Sequence, residues 1–164
     1  MKSLATGLVL CFLMTAVAAQ ESVCAPDRLA LRGNWGEARF SVSVADNEIE
    51  RAQGLMHVEQ MPTMAGMLFV YDFPREVAFW MKNTLIPLDM IFADDQGRVV
   101  HVHKMARPLD ETPIPGGGEI RYVLEINGGL AAKLGIAPGD ELQHPSIEHA
   151  VWSCVPGPEE NGAQ

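Results

Sequence analysis

GMLFVYDFPREVAFWMKNTLIPLDMIF, from Gly66 to Phe92, decides the reading of this chain. Its apolar segments are short, rich in aromatic and branched residues, and broken at Asp72–Pro74 and again at Lys82, Asn83 and Thr84. Runs of this length and composition, bounded by turn residues, are buried strands. Met67–Tyr71, Val77–Met81 and Leu88–Ala93 are therefore read as strands. The polar island between them needs partners or a cavity, because an ammonium and an amide in so apolar a run are costly to leave unsatisfied.

Outward from this stretch the same pattern repeats. Gly36–Ala45 alternates, with Ala38, Phe40, Val42 and Val44 on one face and Arg39, Ser41 and Ser43 on the other, a half-buried strand. Asp46 and Asn47 offer an N-cap, Glu50 lies three residues after Asn47 and Gly54 supplies a stop, so a short helix is expected over Glu48–Gln53. Asp95-Gln96-Gly97 turns the chain into a strand over Arg98–Met105, a hairpin with the strand before it. Ala106–Ile120, with three prolines and Gly116–Gly118, reads as a loop long enough to be a lid or simply a mobile connection, and its mixed stiffness favours a flap. Arg121–Ile126 returns to strand with Tyr122, Leu124 and Ile126 inward; Asn127 then caps a second short helix ended by Gly135. The spacing favours a mainly β, single-domain sandwich or jelly-roll-like fold with one or two short helices.

The chain has 164 residues, a net charge of −9 and three cysteines. Lys2, the apolar run Leu4–Ala18 and the small residues Val17 and Ala19 read as a signal peptide over residues 1–19, with the mature chain starting near Gln20. The domain is expected over 20–155, with a polar, disordered tail at 156–164. No later segment offers the roughly 20 apolar residues of a spanning helix, so no membrane partner is expected after cleavage. The acidic balance likewise repels nucleic acid. A periplasmic or secreted location leaves Cys24 and Cys154 in an oxidising compartment, where they are expected to pair; two unrelated buried thiols are the other reading.

ERAQGLM from Glu50, GMLFVYDFP from Gly66, FWMKNTLIPLDMIF from Phe79, YVLEINGG from Tyr122 and LGIAPGDEL from Leu134 together resemble domain-of-unknown-function family 192. The resemblance spans about Phe40 to Leu142 and implies a compact, mainly β, often exported domain without an established activity. The family's recurring polar positions correspond here to Arg51, Lys82, Asn83, Thr84, Asp89, Tyr122 and Glu125. They are the candidate ligand-binding residues.

Lys82, Asn83 and Thr84 follow directly on Phe79, Trp80 and Met81, bringing an ammonium, an amide and a hydroxyl beside an aromatic wall, as a small polar-ligand pocket requires. The bland alternative is a turn in which Asn83 and Thr84 satisfy backbone groups. Lys82 is expected to find Asp89 or Glu125 within reach of a charge-assisted hydrogen bond. Non-catalytic binding of a small polar or anionic ligand, with no cofactor, is the leading reading. One alternative is an envelope copper protein using Met56, Met61, Met64, Met67 and Met81 with His101 and His103, set against methionine as ordinary core filler. The other is a hydrolase-like enzyme pairing Lys82 with Glu125 or Asp89.

Overall fold

A computed structural model describes residues 24–154. The segments read as signal peptide (1–19) and tail (156–164), and the expected mature start at Gln20, lie outside the described residues.

β1 (Arg28–Gly33) and β2 (Gly36–Ala45) form an antiparallel hairpin, after which α1 (Glu48–Gln53) leads across to β3 (Ala65–Phe79), parallel to β2. β4 (Leu88–Ala93) and β5 (Val99–Ala106) form a second hairpin; β6 (Ile114–Asn127), α2 (Leu130–Leu134) and β7 (Glu141–Gln143) complete the chain. The result is one mainly β domain built on a seven-stranded sheet in the order β5-β4-β6-β3-β2-β1-β7. The sheet curls until its edges meet. Arg98 bridges to Glu141, the Val99 amide donates to the Asp140 carbonyl, and the Leu142 amide donates to that of Gly97.

Because the sheet closes on itself, alternate residues of its central strands enter two different cores. The first collects side chains from all seven strands, among them Leu29, Phe40, Leu68, Ile91, Val99, Leu124 and Leu142, together with Leu130 and Ala131 of α2. The second lies on the opposite face of β3, β6 and β4 and holds Phe69, Leu88, Met90, Phe92 and Val123, with Leu55 and Met81 packed over them from the connecting segments. β4 is consequently buried along its whole length. Gly66 permits the close β3–β6 approach: a Cβ there would run into the Glu125 carbonyl oxygen.

Leu88–Ala93, Gly36–Ala45 and Glu48–Gln53 form the elements expected of them, and Asn47 caps α1 by accepting the Glu50 amide at 3.0 Å. Four features differ. The two strands expected on either side of Asp72–Pro74 are one strand, because β6 continues to pair past the break and the extra residues are absorbed as a bulge between Val70 and Arg75. The expected flap is a shorter connection, since β6 begins at Ile114 and Ala78 pairs with Pro115. Asn127 does not cap α2; its Nδ2 donates to the Met61 and Pro62 carbonyls, and Asp89 accepts from the helix start instead. β1 and β7 were not anticipated.

Cys24 and Cys154 are disulfide-bonded, with Cα atoms 5.7 Å apart. The bond ties together the two ends of the described chain.

Candidate functional site

A cavity of about 90 Å³ opens where α1 and the turn after it face the second core. α1 contributes Arg51; Leu55 and Met56 follow from the turn; β3 supplies Phe69, Tyr71 and Phe79; Trp80, Lys82 and Thr84 come from the segment leading to β4. Glu125 of β6 is the acid among the lining residues.

Glu125 pairs in register with Met67 on one side and Met90 on the other, and only 4% of it is exposed. With thioethers as cross-strand neighbours and no hydrogen bond or ion pair to its carboxyl among the described residues, an ionised form has no bonded partner. Burial pushes its pKa up to about 8, so the acid is uncharged at neutral pH. Asp89 is the instructive contrast. One residue before Met90, it faces the other core, where its carboxylate accepts from the amides of Met105 (2.7 Å), Gly129 (3.0 Å) and Ala131 (2.7 Å). Asp89 is a fully satisfied structural acid; Glu125 is not.

Two cations border the cavity, and neither forms an ion pair among the described residues. Arg51 is held by its backbone contacts, Nη1 donating to the carbonyls of Asp46 (2.6 Å) and Val70 (2.8 Å), and its guanidinium lies 5.1 Å from the centre of the Tyr71 ring. Only one of its nitrogens is occupied. The half-buried Lys82 sends its Nζ to 5.1 Å from the Trp80 ring centre. The expected contact of Lys82 with Asp89 or Glu125 is therefore absent: the register of β4 turns Asp89 to the opposite face, and Lys82 leans on Trp80 instead. Tyr71 is also raised above its ordinary phenol pKa, chiefly by burial, and keeps its proton as a donor.

Four of the sequence candidates, Arg51, Lys82, Thr84 and Glu125, thus line one cavity. Asn83 braces its wall. It adopts a left-handed backbone (φ 55°), its carbonyl accepts from His57, and its Nδ2 lies 3.8 Å from Met56 Sδ. Buried Thr84 closes the same turn, its amide donating to the Met81 carbonyl and its hydroxyl to that of Lys82. Asp89 and Tyr122 lie away from the cavity; Tyr122 is fully buried in the first core and its hydroxyl donates to the Ser146 carbonyl. Tyr71 and Phe69 were not singled out in the sequence, although Met67, Phe69 and Tyr71 follow one another at steps of two, which puts them on one strand face.

The methionines and histidines of the copper reading sit in different settings. Met81 is fully buried, Met61 and Met67 pack against the second core, Met64 is exposed, and His101 stacks on Phe92 at 5.8 Å. Among the described residues, no three His, Cys, Asp or Glu side chains gather as metal ligands.

Residues 30–144, which include every strand but the first positions of β1 and the whole cavity, match the family DUF192, described as an uncharacterized ACR. The chain belongs to that family. This DUF192 domain is similar to a protein of unknown function from Novosphingobium aromaticivorans, solved at 1.22 Å, with 43% identity and a TM-score of 0.69 over 70% of this chain and 82% of that one. It is also similar to a putative transcription regulator from Sinorhizobium meliloti, with 40% identity and a TM-score of 0.68 over 70% and 90% of the two chains. No curated protein matches it.

Proposed function

We propose that this DUF192 domain is a non-catalytic binding protein that holds a small anion in the cavity between Arg51, Lys82 and Glu125. One observation carries the reading: the cavity is bordered by two cations with no carboxylate partner among the described residues, while its acid is kept uncharged by burial. In a chain of net charge −9, a pocket with uncompensated positive charge is a specific feature and not a reflection of the overall balance. Among the described residues its donors are also free, since Lys82 retains all its N–H groups and Arg51 most of its own.

The size of the cavity limits the ligand. At about 30 Å³ per water, 90 Å³ accommodates roughly three waters, or a group of a few heavy atoms. Catalysis is not part of this reading, because among the described residues Lys82 and Glu125 form no hydrogen bond or ion pair of the kind that acid–base work needs. Export to the periplasm or beyond is part of it, supported by the apolar leader and by the Cys24–Cys154 disulfide. The acidic balance opposes binding to a phosphate backbone and so disfavours a DNA-bound role for this chain.

Calorimetric titration with acetate, phosphate and sulfate at low ionic strength tests the reading. At least one anion is expected to bind, with affinity lowered tenfold or more in Lys82→Met. Absence of binding by every anion at millimolar concentration, or unchanged binding in Lys82→Met, would overturn it.

A further inference from the structure

The cavity wall is divided in chemistry. Arg51, Lys82, Tyr71 and the Glu125 carboxyl offer donors, whereas Leu55, Phe69 and Phe79 offer only hydrocarbon, with Phe69 and Phe79 packed edge to face at 5.0 Å. An inorganic oxyanion spreads its charge over all its oxygens and would press some of them against that hydrocarbon, where no donor compensates their lost hydration. An anion with one polar end and one apolar end avoids this cost.

Glu125 narrows the class further. An uncharged carboxyl has one O–H to give, and a carboxylate is a strong acceptor for it; two carboxyl groups at hydrogen-bond distance share one proton and one negative charge. Every charged or titratable group lining the cavity around Glu125 suits that arrangement: Arg51 from α1 and Lys82 from the connecting segment are cationic, and Tyr71 from β3 is a protonated phenol. Its cross-strand neighbours, Met67 and Met90, add no charge.

Building on the anion reading, we infer that the ligand is a small monocarboxylate, or the carboxylate end of a slightly longer molecule, whose carboxylate shares the Glu125 proton while its hydrocarbon end lies against Leu55, Phe69 and Phe79. No covalent bond changes. The proton stays between the two carboxyl groups, and Arg51 and Lys82 balance the single negative charge. Binding therefore requires a protonated Glu125, and affinity is level through neutral pH and falls about tenfold for each pH unit above about 8.

The test is calorimetric titration of the full domain, at constant ionic strength, with acetate, propionate, butyrate, sulfate and phosphate at pH 6, 7 and 9. The three carboxylates are expected to bind, tightening roughly three- to fourfold from acetate to propionate as a methylene is buried. Sulfate and phosphate should be at least tenfold weaker, and carboxylate binding should fall about tenfold between pH 7 and 9. Glu125→Gln keeps a donor at the same place without the titration, so its carboxylate affinity should be equal at pH 6 and 9. Sulfate or phosphate binding as tightly as the carboxylates would overturn this inference and leave the anion reading standing. An unchanged wild-type affinity at pH 9, or the same fall in Glu125→Gln, would overturn the shared proton. Failure of all five anions at every pH would overturn both.

Discussion

Glu125→Gln should make this protein more resistant to alkali, and the size of the effect follows from the burial of the carboxyl. In the unfolded chain the acid titrates near its ordinary 4.5, whereas in the folded protein it holds its proton to about 8. Between these values the folded state binds more protons than the unfolded one, so folding stability falls as pH rises, by about 1.4 kcal/mol per pH unit. The contribution is fully present below 4.5 and is lost by the time pH has passed about 8. The amide of the variant cannot ionise in either state. The difference in unfolding free energy between variant and wild type should therefore grow by roughly 4 kcal/mol from pH 5 to pH 8, a large share of the 5–15 kcal/mol typical of a domain. Urea denaturation at each pH, with the disulfide intact, measures it, and all other titrations cancel in the comparison. Parallel stability profiles for the two proteins would refute the claim that Glu125 is buried without a partner.

Asp89→Ala should cost about 3–5 kcal/mol, because it strands the amides of Met105, Gly129 and Ala131; denaturation melts check this, and a loss under about 1 kcal/mol would contradict the bonding described. Lys82→Met should change stability by no more than about 0.5 kcal/mol, as no ion pair is lost, whereas Arg51→Met should cost roughly 1–3 kcal/mol through its two carbonyl contacts. Chemical denaturation of both variants separates these roles. Replacing Cys24 and Cys154 by Ser opens a loop closed over 130 residues and should lower stability by about 2–5 kcal/mol, again read by denaturation.

Local signals were readable in this sequence and long-range ones were not. Glu48–Gln53 and Leu88–Ala93 are set by a cap and by short apolar runs, which neighbouring residues reveal. β7 has three residues and exists because β1 needs a partner and the sheet must close, conditions invisible within Glu141–Gln143 itself. Strand alternation placed Glu125 opposite Tyr122, and the structure puts Tyr122 in the first core and Glu125 in the cavity wall. The same alternation does not tell which face of β4 looks toward Lys82, so Asp89 was read as a partner although its register sends it to α2. Gly116–Gly118 suggested a flap, but a Cβ at Gly116 would crowd Ile120, Phe92 and Val77, so this glycine serves close packing.

The most direct measurement is the titration of the Glu125 side-chain carboxyl by carbon-detected NMR, first alone and then with saturating acetate. The cavity requires a midpoint near 8 in the free protein and, by linkage, a higher midpoint once an anion that needs the proton is bound. A midpoint near the ordinary 4.5, or one near 8 that no small anion moves, would contradict it.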